Sequence, residues 1–351
     1  MLPSLDARRR VEDKAARRPP TTATGVGMSF RRGIMTRSRA SSPGALIAVD
    51  WGTTRLRAAL LAADGGVLDE TESGDGIGTL SGGHEAAFER LVGDWPKVPA
   101  IMAGMIGSRQ GWREAPYVSC PATPAALAGG IIRFDTGAGR PVAIVPGIML
   151  RSPDRDGDVI RGEETQIVGL IDRGGADGIV ILPGTHSKWA TIAGGAITGF
   201  HTFLTGEMFE LLSRHSFLRH SVAVDGRDLS AVPDFTRAVR RTVEGGLPFL
   251  AAIFSVRARQ LLDGVSREDN LAYLSGLVIG GEIAAARDAG AYKDGAPIRI
   301  VGAKSLARAY HKAFAAIGRS TEQVDGTEMV VAGLVHLARV IGLLPTEGTR
   351  S

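Results

Sequence analysis

The chain has 351 residues, 44% hydrophobic and 22% charged, a composition that suits a folded globular protein of two domains and excludes fibres and disulfide scaffolds. The one cysteine, Cys120, leaves no intrachain disulfide, no Cys/His cluster marks a metal site, and no apolar run reaches the ~18 residues of a membrane span. The net charge of +4 is unevenly spread: residues 1–42 hold ten Lys/Arg against three acids, +7, so the rest of the chain carries −3.

Residues 1–42 are rich in Arg, Pro, Ser and Thr and lack apolar periodicity. They are expected to form a disordered, dispensable basic extension, with Met28 and Met35 as alternative starts. Without them no basic stripe remains, so neither nucleic acid nor membrane is an expected partner. A reducing, cytoplasmic setting follows from the lone cysteine and from the absence of a signal-type apolar region.

The folded part begins at 45–50 (ALIAVD), a buried strand ending in a carboxylate. A polar turn leads to a second strand at 55–62, and Asp64-Gly65-Gly66 to a third from 67. Residues 84–95 read as a helix, and 98–103 and 142–145 as buried parallel strands. The same order recurs about 130 residues later. A strand at 178–183, a turn, a strand at 187–192, a Gly-Gly turn and a strand at 196–203 repeat the first start. Helices are expected at 207–215, 246–263 and 270–289. A strand at 298–301 runs through Gly302-Ala303 into a helix from about Ser305, and 327–344 forms the last helix. The loop at 172–178 divides an N-terminal domain, 43–175, from a C-terminal one, 176–351. The fold class is α/β, a duplicated three-strand start with helices behind it.

Six segments carry chemistry. Asp50-Trp51-Gly52-Thr53-Thr54-Arg55 joins two strands. Its small residues let backbone N–H groups approach phosphate oxygens, the Thr hydroxyls add donors, and Asp50 is placed to hold the Mg²⁺ that accompanies ATP. Gly184-Thr185-His186-Ser187-Lys188 occupies the equivalent position in the second half, with Lys188 as a further phosphate contact. Two such turns facing across a cleft would grip a triphosphate from both sides. Arg161-Gly162-Glu163-Glu164-Thr165-Gln166 supplies adjacent acids, one of which can accept a hydroxyl proton; acids at a helix start would look the same. Ser108 and Arg109, in a loop after a buried strand, lie where α/β folds bind ligands, and Arg109 is suited to a carboxylate clamp. Gly280-Gly281 and Gly302-Ala303 are candidates to flank a nucleotide, the glycine pair marking a helix break or a close contact.

DWGTTRLR, MAGMIGSRQGW, DVIRGEETQ, LPGTHSKW, FLTGEMFELL and SGLVIGGEI, in this order, resemble the 2-dehydro-3-deoxygalactonokinases of the actin-like sugar kinase superfamily, over about residues 45–344. The resemblance implies two ribonuclease-H-like domains with an interdomain cleft. It also implies ATP-dependent phosphorylation of the 6-hydroxyl of 2-dehydro-3-deoxy-D-galactonate in galactonate breakdown. On that reading Asp50 organises Mg²⁺, and the turns Gly52-Thr53-Thr54-Arg55 and Gly184-Thr185 hold ATP. Glu164 or Glu163 serves as base, with Glu164 favoured because Gln166 follows it by two residues. Arg109 or Arg161 pairs with the substrate carboxylate, and Ser108 is a further substrate contact. The alternatives are a kinase for another sugar acid or polyol, or a non-catalytic ATP-binding module. Oligomeric state, a homodimer included, stays open.

Overall fold

The structure, a computed structural model, describes residues 43–346 apart from 154, 176, 293 and 294; the N-terminal extension lies outside the described residues. In chain order the elements are β1 (Leu46–Trp51), β2 (Leu56–Leu61), β3 (Val67–Ser73), α1 (His84–Val92), β4 (Ala100–Gly104), β5 (Tyr117–Ser119), α2 (Pro124–Gly129), β6 (Ile132–Asp135), β7 (Pro141–Ile144), β8 (Gly147–Ser152), β9 (Arg155–Ile160) and α3 (Glu163–Asp172). The second half continues with β10 (Gly178–Leu182), β11 (Ser187–Ala193), β12 (Ala196–Phe203), α4 (Thr205–Glu210), α5 (Pro233–Val243), α6 (Phe249–Leu262), α7 (Arg267–Asp288), β13 (Ile298–Gly302), α8 (Lys304–Ala316), β14 (Glu322–Asp325) and α9 (Gly326–Val340).

Two sheets share one topology. The first runs β3-β2-β1-β4-β7-β6 and the second β12-β11-β10-β13-β14. In each, a three-strand antiparallel meander is extended by two parallel strands on the far side of the first strand, and the first sheet adds β6, antiparallel to β7, at its edge. This is the duplicated ribonuclease-H-like arrangement that the repeated strand–turn–strand pattern implies.

Strand periodicity decides what each sheet buries. On β1, Leu46 and Ala48 face one core while Ile47, Val49 and Trp51 face another beneath α1. On β10, Val180 and Leu182 join the same core as Leu46, while Ile179 and Ile181 pack outward with α5 and α8. The shared core is filled by α3 (Ile167, Val168, Leu170) and α9 (Met329, Val330, Leu334, Leu337). These helices touch backbone to backbone. A Cβ on Gly169 would lie 2.1 Å from the Met329 carbonyl, and one on Gly333 2.0 Å from that of Thr165. Both positions therefore require glycine, and the close crossing fixes where α3 begins.

Most expected elements are present, with ends shifted by a few residues. The expected helix at 207–215 is a short α4 followed by a π-helical turn over Leu211–His215. A small sheet, β5-β8-β9, and helix α5 were not anticipated. Among the described residues no helix is long and apolar enough to cross a membrane.

Candidate active site

The carboxyl ends of β1 and β4 and the N-terminus of α3 converge. Asp50 sits near the end of β1, its side chain 30% exposed, facing Arg57 of β2 at 3.4 Å. Burial pushes the Asp50 carboxyl above its ordinary range; Arg57 opposes the shift and the charge of Glu163 adds to it. Gly104 ends β4 with φ +94°, and a Cβ there would come within 2.7 Å of the Trp51 carbonyl. Gly162, φ +109°, would place its own Cβ 3.3 Å from the Gly104 Cα. Only glycine allows these strained, close approaches, and together they bring Glu163 up to Asp50.

The adjacent glutamates diverge as neighbours at a helix start must. Glu164 is fully buried. It accepts hydrogen bonds from the Gly162 amide at 2.6 Å and from the Thr165 hydroxyl at 3.1 Å. Burial, aided by the neighbouring charge of Glu163, raises its pKa to about 7. Glu163, by contrast, keeps a quarter of its side chain exposed, and one oxygen lies 3.0 Å from the Lys188 ammonium. Its other oxygen accepts from the Arg161 amide at 3.2 Å.

Lys188 is the link to the second half. It projects from β11, is only 5% exposed, and also donates to the His186 carbonyl at 2.8 Å. Asp158 of β9 adds a second link, accepting from the amide and hydroxyl of Thr202 on β12 at 2.9 and 2.8 Å. Asp50 and Lys188, on the strands that flank the two expected phosphate turns, therefore both reach Glu163.

In the first turn Gly52 is half-buried while Thr53, Thr54 and Arg55 are exposed; Arg55 pairs with Glu72 at 3.3 Å. The turn rests on residues 76–78: the amides of Ile77 and Gly78 donate to the carbonyls of Gly52 and Thr53 at 3.0 and 2.8 Å. In the second turn Gly184 is half-buried and Thr185 and His186 are exposed. His186 bonds Glu207 at 2.7 Å, and the Glu207 amide donates to the Thr185 carbonyl at 3.0 Å.

Behind Glu163 stands Arg161. Its Nη2 donates to the Ala115 carbonyl at 2.8 Å and its guanidinium lies 4.4 Å from the Tyr117 ring centre. Its Nε and Nη1 are buried without a partner among the described residues, as is the Ser108 hydroxyl. Gly107, which precedes Ser108, would bring a Cβ within 2.8 Å of Arg161 Nη1. Buried donors left unsatisfied are costly, so each calls for a partner outside the described side chains. Arg109 is placed otherwise: its side chain is 84% exposed, with Glu114 at 3.8 Å.

Gly280 and Gly281 do not flank an open surface. They lie within the uninterrupted α7, where a Cβ would come 2.1 Å from the Thr242 hydroxyl and 2.8 Å from the Phe249 ring, respectively. The expected close contact exists, but it is helix packing, and the expected break is absent. Gly302 and Ala303 end β13 beside Pro183, with Ala303 exposed. Sequence reasoning passed over three side chains around the second turn: His186, Glu207 and Glu282. For Glu282 the signal was an acid within the apolar run IGGEIAAA. A cavity of about 420 Å³ lined by Asp64, Arg173, Glu328 and Arg339 lies at the opposite end of the first sheet, remote from these groups.

A family model for 2-keto-3-deoxy-galactonokinase matches residues 50–337. A Rhizobium meliloti (strain 1021) protein named probable 2-dehydro-3-deoxygalactonokinase is 40% identical over 310 residues, covering 86% of this chain and 99% of its own. The 2-dehydro-3-deoxygalactonokinase of Escherichia coli (strain K12) is 35% identical over 301 residues, covering 84% and 98%. A crystal structure from Sinorhizobium meliloti, 39% identical, superimposes with a TM-score of 0.78 over 84% of this chain and 99% of that one. The matches take in both turns, the paired glutamates and the buried arginine, and the chain belongs to the 2-keto-3-deoxy-galactonokinase family.

Proposed function

We propose that this chain transfers the γ-phosphoryl group of ATP to the 6-hydroxyl of 2-dehydro-3-deoxy-D-galactonate, in a cleft between halves 43–175 and 176–351. The observation that carries the reading is the buried Arg161 with Nε and Nη1 unpaired, near an unpaired Ser108 hydroxyl, behind Glu163. A buried guanidinium with N–H groups still unpaired favours an anionic partner such as a carboxylate, and the Ser108 hydroxyl adds a donor. Arg161 and Ser108 therefore take the sugar acid, while the exposed Arg109 contributes at most at the rim.

Glu163 is the base on this reading. It is the glutamate with an exposed face, and it stands between Asp50 and Lys188. Glu164, which the spacing to Gln166 favoured, is sealed under the Gly162 amide and shapes the turn instead. The substrate oxygen attacks the γ-phosphorus, the bond to the β-phosphate oxygen breaks, ADP leaves, and the hydroxyl proton passes to the Glu163 carboxylate. Gly52, Thr53 and Thr54 contact phosphates from one side and Gly184 and Thr185 from the other. Lys188 shares its ammonium between Glu163 and the incoming phosphate charge. Gly302 and Ala303 border the nucleotide.

Mg²⁺ fits this donor set. Asp50 and Glu163 are partly exposed carboxylates that feel each other's charge. Bound there, Mg²⁺ supplies neutralisation of the charge on the transferring phosphoryl group. The cytoplasm, where ATP and the sugar acid meet, is the proposed setting.

The test is ADP release with 2-dehydro-3-deoxygalactonate, its C4 epimer and simple polyols, in wild type and Arg161→Lys. The expected result is turnover with the sugar acid and a KM for it raised about 10-fold or more in the variant, with KM for ATP unchanged. Equal turnover of polyols that lack a carboxylate would remove the acid-binding reading.

A further inference from the structure

We propose that Glu282 is the positioning residue of the second phosphate turn, a buried carboxylate that ties together three segments around Gly184-Thr185. This rests on reading that turn as a nucleotide site. Glu282 projects from the middle of α7 and is 5% exposed. A carboxylate has about four acceptor positions, and here four donors meet it. The Ser187 hydroxyl and the Trp189 indole N–H donate to Oε1 at 2.7 and 2.6 Å, and the hydroxyls of Thr205 and Tyr310 donate to Oε2.

The origin of the donors gives the network its meaning. Ser187 is where the chain leaves the turn and enters β11. Thr205 opens α4, and the next two residues seat the turn from below: a Cβ on Gly206 would lie 2.4 Å from the Gly184 carbonyl, and the Glu207 amide donates to the Thr185 carbonyl. Tyr310 belongs to α8, which starts directly after Gly302-Ala303, beside Pro183 at the turn's entrance. One side chain thus holds the exit, the floor and the flank of a four-residue loop. An apolar residue in its place would fill the volume but leave four buried donors unpaired. A core needing only packing has no use for such a group, because a buried charge brings a large desolvation cost. Fixing a loop whose backbone amides must point at phosphate oxygens is a use that matches the arrangement.

Glu282→Gln keeps the shape and turns one acceptor into a donor facing donors. The expected result is a folded protein whose KM for ATP rises about 10-fold, with the KM for the sugar acid within about 2-fold of wild type. A general loss of packing would move both constants. Thr205→Val and Tyr310→Phe each remove one donor; they should shift the ATP constant in the same direction by about 2–5-fold, and they carry the test if the Gln variant does not fold. Thr185→Ala is measured alongside. If it weakens ATP while all folded network variants leave ATP unchanged, the turn keeps its role and Glu282 loses the one assigned here. If neither Thr185→Ala nor the network variants affect ATP, the reading of the turn falls and the positioning role falls with it.

Discussion

The two phosphate turns occupy equivalent places in duplicated sheets, yet they are held by different means. The first is strapped by backbone: residues 76–78 lie across it, with the Ile77 and Gly78 amides bonded to it, and the Trp51 indole pins the strap through the Asp75 carbonyl at 2.8 Å. The second takes one backbone bond, from the Glu207 amide to the Thr185 carbonyl, and is otherwise held by side chains converging on the single buried carboxylate of Glu282. A backbone strap asks little of the sequence beyond glycine at the contact, while a carboxylate hub asks for four donors drawn from distant segments. The strapped turn also carries the acidic groups of the site, Asp50 with Glu163 beside it, and the hub-held turn answers with the cation Lys188. On the proposed reading, the first half presents the proton acceptor and the second half the charge that steadies it.

The sharpest way to break this division is at the glutamate pair. Glu163→Gln should lower kcat by about 10²–10⁴-fold, the scale of a lost general base, with KM for the sugar acid little changed. Glu164→Gln should cost less than about 10-fold, because its carboxylate holds a turn and meets no substrate. Asp50→Asn should also remove most turnover, and raised Mg²⁺ should restore part of it. Steady-state rates for the three variants decide the matter; a larger loss from Glu164→Gln than from Glu163→Gln would move the proton acceptor to the buried residue.

A matched pair of substitutions compares the two supports themselves. A Cβ on Gly76 would sit 2.3 Å from the Thr53 carbonyl oxygen, and one on Gly206 2.4 Å from that of Gly184. Each contact is with backbone, so each Ala variant must displace its turn. Gly76→Ala is expected to cost about 2 kcal/mol or more and to weaken ATP by about 10-fold. Gly206→Ala should cost less, since one backbone hydrogen bond, from the Glu207 amide, ties α4 to its turn while two tie the strap to the first. Thermal unfolding and ATP titration of both proteins test the order; equal effects would mean that the two supports are equally stiff.

What the sequence showed of this arrangement depended on how local each signal was. The strands that carry the turns stand out as short apolar runs ending in polar small residues, so the duplicated start and both turns were readable from residues within ten positions of one another. The start of α3 at Glu163 was readable too, as acids ahead of an apolar stripe. Which glutamate faces the cleft was not, because that depends on the side of α3 that meets Gly104 and β11, and the spacing to Gln166 pointed to the wrong neighbour for an exposed face. The Glu282 hub was out of reach for the same reason: its donors lie 95, 93, 77 and 28 residues away. Gly280-Gly281 gave a correct sign of close approach without saying that the approaching surface is α5 and Phe249 rather than a ligand. Helix α5 was hidden by four charged residues in its eleven, PDFTRAVRRTV, which leave only a narrow apolar face.

The smallest expected effect compares the buried carboxylates of the two halves. Both Glu164 and Glu282 are raised above the ordinary carboxylate range by burial, but Glu282 is offset by four donors and Glu164 by two, with Glu163 adding repulsion. For Glu164 the folded-state value is about 7 against an ordinary 4.5. The folded protein then binds a proton that the unfolded chain has released between these values. The stability this contributes is fully present below pH 4.5, falls as pH rises, and is gone above about pH 7. Across that window the loss is on the order of 3 kcal/mol. Glu164→Gln, which cannot ionise, should escape it. Its unfolding temperature relative to wild type should therefore climb between pH 5 and pH 8, by a few degrees for a chain of this size. Glu282→Gln should move in the same direction with pH, because burial raises that carboxyl too, but from a lower starting temperature, because the amide breaks a network that the carboxylate satisfies. Unfolding temperatures of the three proteins across that pH range measure the difference; a flat offset for Glu164→Gln would show that its carboxyl titrates in the ordinary range and that the Gly162 and Thr165 contacts hold it ionised.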